Sequence, residues 1–474
     1  MTEKITADLC VIGAGSGGLS VAAGAAQMGA RVVLLERDKM GGDCLNYGCV
    51  PSKSLLAAGH AAHMVRTAGR LGITTGDPVI DHEAVRDHVQ GVIAGIAPHD
   101  SQERFEGLGV RVIREAGRFT RPRTVVAGEF EITAKRTVIA TGSSPEVPPI
   151  PGLDSIPYFT NETIFENGAP IPHLLVIGGG PIGLEMAQAH ARLGSEVTVL
   201  EGLKALGNDD PELAEIVKQR LEDENIAIHE GTVVKGFSGT AGDITVSADI
   251  NGKPAQFTGS HVLIAVGRTP NLKGLELETA GIESDRSGIV VDSRLRTTNK
   301  KVFAIGDAAQ GYKFTHVAGY HAGIVIRNVL FRMPAKVDYR AIPWVTYTAP
   351  ELAQVGLTEQ EAREAHGDIT VLRASFADND RARAEGQTAG QLKVMTTKKG
   401  VVVGASMVGE KAGELIQSWC LPIAKGMKIK DMAGLILPYP TLGEINKRAA
   451  GSYYTPSLFS DRTRRIVRFL LSFG

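Results

Sequence analysis

The sequence has little cysteine, almost no net charge and no long apolar run. Four cysteines in 474 residues are too few for the disulfide framework of a secreted protein. A formal net charge of −1 gives no general attraction to nucleic acid. No uncharged apolar run reaches about 20 residues, the length of a membrane span, and no signal-peptide pattern is present. We therefore predict a soluble, cytoplasmic protein that binds no nucleic acid.

Glycine, in contrast, is abundant. The 56 glycines in 474 residues are well above the usual share of about 7%. They fall in discrete clusters, which indicates tight turns rather than disorder. The length is too great for one hydrophobic core and predicts two to four domains.

The first cluster predicts a strand, a glycine turn, a helix and a second strand over residues 8–36. Gly13, Gly15 and Gly18 form G-x-G-x-x-G, and Glu36 ends the second strand. Glycines at this spacing let a pyrophosphate approach the helix N-terminus, and a carboxylate at the strand end accepts the ribose hydroxyls. This unit predicts a dinucleotide site.

The same pattern recurs 165 residues later, over residues 173–201. Three glycines and one acid repeat at matching positions: Gly178, Gly180, Gly183 and Glu201. The duplication predicts two dinucleotides in one chain, one a flavin nucleotide and one a nicotinamide. An acid at 201, with Lys204 as its one nearby cation, favours NAD over NADP.

Two cysteines follow the first unit, within residues 41–53. In a regular helix the Cα atoms of Cys44 and Cys49 would be roughly 8.6 Å apart, whereas a disulfide needs about 4.4–6.8 Å. A bridge therefore requires a local bend, which Gly48 permits. Lys53 lies one helical turn beyond Cys49. The stretch predicts either a strained, reducible dithiol beside a cation or two free structural cysteines.

Further strands end in glycine at 138–143, 262–270 and 302–308, and in the last of them Asp307 is placed to accept hydrogen bonds from a polyol. Taken singly, each is an ordinary exit from a strand. In order with the two glycine units and C-x-x-x-x-C, however, A-T-G, G-R-x-P-N and A-I-G-D resemble the class I pyridine nucleotide–disulfide oxidoreductases. This family includes dihydrolipoamide dehydrogenase, glutathione reductase and mercuric reductase, and the resemblance covers about Ile5 to Tyr454.

The resemblance implies an α/β fold with two Rossmann-like domains, for FAD and NAD(P), and a C-terminal α+β dimerisation domain. It implies an FAD domain of two segments, 1–149 and 272–341, an NAD(P) domain at 150–271 and an interface domain at 342–474. Tightly bound FAD would contact Gly13, Gly15, Gly18, Glu36, Gly42, Lys53, Gly117, Thr141, Gly142, Ser143, Asp307 and Ala308. NAD(H), favoured over NADP(H), would contact Gly178, Gly180, Ile182, Gly183, Glu201 and Gly267.

In the mechanism that the resemblance implies, NAD(P)H gives a hydride to FAD, and the reduced flavin opens the Cys44–Cys49 disulfide. Cys49 would be the thiolate next to the flavin, and Cys44 the thiol that faces the second substrate. Lys53, paired with Glu185, would help to lower the thiol pKa. The alternative for Glu185 is an acid favoured by the helix dipole.

The proton handler of the family departs from its pattern here. Disulfide reductases of this family place a histidine across the dimer interface, with a glutamate five residues on. Here the glutamate is present as Glu444, but Tyr439 stands at the histidine position, and tyrosine, with a pKa near 10, is a poor general base at neutral pH. The resemblance thus implies a homodimer with a shared active site, and the tyrosine argues against lipoamide and glutathione as substrates.

The residues near the dithiol favour a metal-ion acceptor. Tyr439 and Asp43 resemble mercuric reductases, although no cysteine follows Cys420, where those enzymes usually have two, and no N-terminal metal-carrying domain precedes the core. We expect an FAD-dependent reductase of a thiol-reactive acceptor, mercuric reductase-like, without a structural metal. The alternatives are a dihydrolipoamide dehydrogenase or other small-disulfide reductase, direct flavin reduction of a quinone or oxygen, and a non-enzymatic flavin-loaded redox sensor.

The final stretch, 460–474, departs from the family. Its arginines (462, 464, 465 and 468) alternate with apolar residues, which predicts a basic amphipathic helix. We expect this helix to pack on the dimer, and the alternative is peripheral contact with an anionic membrane surface.

Overall fold

Three mixed α/β units make up residues 2–473, which the computed structural model describes. Two contain a parallel sheet of the Rossmann type, and the third contains an antiparallel sheet, so the predicted fold class is confirmed. Met1 and Gly474, the ends of the first and last predicted domains, lie outside the described residues.

The first unit begins with a sheet in the order β3-β2-β1-β6-β5-β4, in which β1, β2, β3 and β6 run parallel. Its apolar strands are buried on both faces, as the strands of parallel sheets usually are. The elements are β1 Glu3–Ile12, α1 Ser16–Gln27, β2 Val32–Leu35, α2 Gly42–Asn46, α3 Cys49–Thr67, α4 His82–Ile96, α5 Gln102–Gly107, β3 Val110–Ile113, β4 Arg118–Arg121, β5 Thr124–Ala127 and β6 Phe130–Ile139.

A two-stranded ribbon then carries the chain out to the second unit and back. Here a parallel sheet in the order β10-β9-β8-β14 is joined by an antiparallel sheet of β11, β12 and β13. The elements are β7 Ser143–Pro145, β8 His173–Ile177, α6 Pro181–Arg192, β9 Glu196–Leu200, α7 Pro211–Asp223, β10 Ile226–His229, β11 Thr232–Thr240, β12 Asp243–Ile250, β13 Lys253–Gly259, β14 His261–Ile264 and β15 Arg268–Pro270. The ribbon is formed by β7 and β15.

The chain next returns to the first sheet. The new elements are β16 Ser284–Asp285, β17 Gly288–Ile289, β18 Val302–Ala304 and α8 Thr315–Val329. Strand β18 pairs with the last three residues of β6, beyond the part that β5 covers, and α8 packs against α1. The first sheet is therefore completed by residues distant in sequence.

The third unit contains an antiparallel sheet in the order β19-β20-β23-β22-β21. The elements are β19 Pro343–Thr346, β20 Glu351–Gly356, α9 Glu359–His366, β21 Ile369–Ser375, α10 Asp380–Glu385, β22 Gln391–Thr397, β23 Val402–Gly409, α11 Ala412–Leu415, α12 Gln417–Lys425, α13 Ile429–Ala433, α14 Glu444–Ser452, α15 Thr455–Leu458 and α16 Asp461–Leu471. Its core centres on Trp419, whose Nε1 donates to Asn446 Oδ1 at 2.8 Å. Among residues 2–473, no helix combines the length and apolarity that a bilayer crossing requires.

Candidate active site

The dithiol lies where α2 and α3 meet. Helix α2 ends at Asn46 and α3 begins at Cys49, so the predicted local bend falls on the two residues between them. At Gly48 a Cβ atom would lie 2.8 Å from Asp43 Oδ2, which explains glycine at the bend. The bend brings the Cys44 and Cys49 thiols within hydrogen-bonding reach of each other. Both are free thiols, so the structure shows the reduced form of the pair rather than the disulfide.

The two thiols differ in acidity. The pKa of Cys49 is lowered by its hydrogen bond with Cys44, by a 3.4 Å contact with Thr315 Oγ1 and by the positive field of Lys53. The pKa of Cys44 is raised by the same hydrogen bond and by burial. The single negative charge of the pair therefore resides on Cys49, and Cys44 keeps the proton.

An ion pair joins the dithiol helix to the other two units. Lys53 Nζ lies 2.8 Å from Glu185 Oε2, and the Glu185 side chain is only 5% exposed. The second carboxylate oxygen accepts a hydrogen bond from Tyr347 N at 2.9 Å, and the lysine lies 4.3 Å from the centre of the Tyr347 ring. Because loss of Lys53 would leave the buried Glu185 carboxylate without its counter-charge, this contact bridges the three units beside the cysteines.

A second network, which the sequence did not reveal, surrounds the residue before Cys44. Arg268 Nη2 lies 2.9 Å from Asp43 Oδ1, and Asn161 Nδ2 donates to the same oxygen at 3.2 Å. Arg268 also donates from Nε to Ser143 Oγ at 2.8 Å. The network links the dithiol turn to the ribbon between the first two units. The one sequence signal for this network is the G-R-x-P-N motif, which contains Arg268.

Both glycine turns are held by the acid that ends the following strand. Glu36 accepts hydrogen bonds from Ala14 N at 2.7 Å and from Asp38 N at 2.8 Å. The second unit repeats both contacts 165 residues later, where Gly179 N and Leu203 N donate to Glu201. Each carboxylate thus fixes the turn whose amides face the start of a helix, the place where a pyrophosphate binds.

One cavity of about 550 Å³ is bordered by all three units. Predicted FAD residues that line it are Gly15, Lys53, Gly142, Ser143 and Asp307, and the cysteines, Ile182 and Glu185 line it too. The lining does not include Gly13, Gly18, Glu36, Gly42, Gly117, Thr141, Ala308, Gly178, Gly180, Gly183, Glu201 or Gly267.

The polar groups beside this cavity fit the flavin nucleotide. The Thr141 hydroxyl is buried and has no hydrogen-bond partner among the described residues. Burial raises the pKa of Asp307, which accepts a hydrogen bond from the Ser143 hydroxyl at 2.6 Å. A ligand rich in hydroxyl groups would satisfy both side chains. A Cβ atom added at Gly42 would lie 2.7 Å from Gly15 Cα. The two backbone segments therefore touch here with no side chain between them.

The predicted proton-handling residues do not line the cavity of their own chain. Tyr439 is 70% exposed, and its hydroxyl donates to Asp380 Oδ2 at 3.1 Å. Glu444 begins α14 and accepts a hydrogen bond from Thr441 N at 3.4 Å. Within one chain, therefore, the structure does not bring these two residues to the dithiol.

His316, which does line the cavity, is engaged in packing contacts. Its Nε2 donates to the Pro343 carbonyl at 2.8 Å, and its ring stacks on Phe314. Burial lowers its pKa, so the ring is neutral at pH 7.

Glu351 is a half-buried acid next to Gly413 of the cavity wall, and its ionisation gives a testable pH effect. Its Oε2 accepts a hydrogen bond from Gly413 N at 2.7 Å, and burial raises its pKa to about 7. Between the unfolded value of about 4.5 and 7, the folded chain keeps a proton that the unfolded chain has lost. Stability therefore falls as pH rises, by roughly 3 kcal/mol at pH 8.

We expect Glu351→Gln, which keeps the acceptor oxygen but does not ionise, to remove this loss. The free energy of unfolding is measured for both proteins at pH 5 and pH 8. The difference, variant minus wild type, should be larger at pH 8 than at pH 5 by ~2–3 kcal/mol. The exposed Glu129→Gln is the matched control and should show no such pH dependence. An equal effect of Glu351→Gln at both pH values would contradict the assignment.

A dithiol between two dinucleotide turns defines a flavoprotein disulfide oxidoreductase. Residues 7–322 match the model of the pyridine nucleotide-disulphide oxidoreductases, and residues 342–450 match the model of their dimerisation domain. The chain belongs to this family. Membership implies that it binds FAD and a pyridine nucleotide and forms a homodimer through its last unit.

Relatives in this family act on different substrates. The chain is 33% identical over 446 residues to a mercuric reductase of Staphylococcus aureus, covering 94% of this chain and 82% of the relative. It is 35% identical over 459 residues to a dihydrolipoyl dehydrogenase of Geobacillus stearothermophilus, covering 94% and 96%. The Cu(II) complex of the HOCl-induced flavoprotein disulfide reductase RclA from Escherichia coli superposes with a TM-score of 0.84 at 28% identity, over 93% and 98% of the two chains.

Proposed function

We propose that this enzyme passes electrons from NADH through Cys44 and Cys49 to a soft, thiol-reactive metal ion, as a mercuric reductase does. The observation that carries the proposal is Tyr439 at the histidine position. Its hydrogen bond to Asp380 raises its pKa further above the usual value near 10. A disulfide acceptor needs an acid to protonate its departing thiolate. A metal ion needs none, because thiolates bind soft metals directly.

The residues around the dithiol support this chemistry. Bound FAD supplies a two-electron carrier between the nicotinamide and the dithiol. Cys49 holds the negative charge beside Lys53, and both thiols border the open cavity, where an incoming acceptor would reach them. Within residues 2–473, no group of three or more His, Cys, Asp or Glu side chains forms a metal site, so the soft ligands that one chain offers the acceptor at this cavity are the two thiols.

The Glu201 carboxylate supports NADH as the donor. It is fixed at the end of β9 by two backbone amides, where it would accept the 2′-hydroxyl of NAD and repel the 2′-phosphate of NADP.

Relatives favour a second candidate as well, reduction of a small disulfide, because the dihydrolipoyl dehydrogenase matches as well as the mercuric reductases do. The two candidates differ in their need for an acid at position 439.

The test is steady-state turnover of the holoenzyme with NADH or NADPH against Hg(II), Cu(II), lipoamide, oxidised glutathione and a quinone. We expect kcat/KM for the better metal ion to exceed that for lipoamide by about 10², the usual contribution of a general acid. NADH should be preferred to NADPH. Fast lipoamide turnover would refute the weight placed on Tyr439, and Tyr439→His should raise lipoamide turnover more than metal-ion turnover.

A further inference from the structure

Helix α16 is amphipathic and is not covered by the rest of the chain. It begins after Ser460, whose hydroxyl accepts a hydrogen bond from Thr463 N. It ends at Leu471, and none of its residues is buried. Phe469, Leu471 and Phe473 are 62%, 71% and 73% exposed. Large apolar side chains are thus presented outward together at one end of the third unit.

The distribution of residues around the helix axis identifies what can cover them. At about 100° per residue, the apolar side chains occupy an arc of roughly 200°, from Phe469 round to Leu471. A helix that packs on a protein core needs an apolar stripe of only about 100°. An arc this wide matches a helix that lies half immersed in an interface.

The arginines of α16 also favour a lipid interface as the surface that covers the helix. Arg464, Arg465 and Arg468 lie on the opposite arc, and Arg462 lies just inside the apolar arc, about 20° from Phe469. Among the described residues, Arg464 forms an ion pair with Asp461 at 3.8 Å, and the other three arginines form none. Long cationic side chains beside an apolar face can reach phosphate groups while the face is buried in acyl chains.

We propose that α16 docks the enzyme on an anionic phospholipid surface, with the apolar arc in the acyl-chain boundary and the arginines at the headgroups. The interaction is peripheral and independent of the redox chemistry.

The test is flotation of the full-length holoenzyme with vesicles of phosphatidylcholine, with and without phosphatidylglycerol. We expect flotation with the anionic vesicles, weakened by salt. Two triple variants should each lower the partition coefficient by about a hundredfold, from the loss of three lipid-facing residues. One variant replaces Arg464, Arg465 and Arg468 with Gln, and the other replaces Phe469, Leu470 and Phe473 with Gln. The matched control removes three exposed cations elsewhere and should float as the wild type does: Lys253, Arg286 and Lys399→Gln.

Light scattering tests the alternative that a second copy of the chain, rather than a membrane, covers the apolar face of α16. The tail variants should remain dimeric and keep their turnover with soluble acceptors. A fall to monomer in the apolar variant, with no vesicle binding by the wild type, would assign the helix to the dimer and overturn the proposal. Equal flotation of wild type and both tail variants would overturn it too.

Discussion

Cys44→Ser is expected to lower NADH-dependent metal-ion reduction by about 10⁶-fold, the order of loss seen when a catalytic nucleophile is removed. Serine can still donate a hydrogen bond to Cys49, but it forms no disulfide and is a poor ligand for a soft metal. NADH should bleach the flavin at the wild-type rate, because the nicotinamide turn lies in another unit. Stopped-flow absorbance and steady-state turnover measure the two steps separately.

Cys420→Ser is the matched control. This half-buried thiol in α12 is absent from the cavity lining, so its replacement should leave both steps unchanged. If Cys44→Ser kept full acceptor reduction, the flavin would be passing electrons directly to a quinone, to oxygen or to the metal. The cysteines would then be a regulatory pair. If the wild type showed negligible turnover with every acceptor, the chain would be a redox sensor.

The parts of the fold that sequence could predict are those set by local pattern. Each glycine turn, its flanking strands and its terminal acid lie within about 30 residues of one another, and each residue type has a definite steric or hydrogen-bonding role there. The break before Cys49 follows from Gly48 in the same way. The sequence predicted Glu36 as a ribose acceptor, and the structure adds that it also fixes the turn through Ala14 N.

Contacts between distant segments could not be predicted in this way. The network of Asp43, Asn161 and Arg268 joins residues from three segments, and no local pattern records which of many carboxylates an arginine will meet. The burial of Glu351 likewise depends on how β20 packs beside the turn at Gly413. The position of Tyr439 relative to the dithiol depends on a second chain, which only the dimer supplies.

Gly183→Ala is expected to lower nicotinamide-dependent turnover strongly while leaving the flavin bound. A Cβ atom at this position would lie 2.0 Å from the carbonyl oxygen of Gly178. Because the obstacle is backbone, the turn itself must move. A displacement of about 1 Å at a binding turn costs on the order of 10²-fold in rate. We therefore expect kcat/KM for NADH to fall at least about a hundredfold, measured by stopped-flow bleaching of the flavin.

Two further variants make this expectation specific. Gly18→Ala places a Cβ atom 1.9 Å from the Gly13 carbonyl oxygen in the first unit, so it should instead lower the flavin content of the purified protein. Gly91→Ala, on an exposed helix with open space around the new atom, should keep both flavin and activity and gain up to ~1 kcal/mol of stability.

Dithionite removes the need for the nicotinamide site. The flavin-loaded Gly183→Ala variant, once reduced by dithionite and freed of excess reductant, should reduce Hg(II) or Cu(II) at the wild-type rate in a single turnover, because the dithiol and its partners Lys53 and Glu185 are untouched. Loss of this reaction would mean that the substitution disturbs α6 as far as Glu185, two residues on. Full NADH activity in the variant would contradict the assignment of the second turn to the nicotinamide nucleotide. The opposite losses of Gly18→Ala and Gly183→Ala would show that the duplicated turns serve two different dinucleotides.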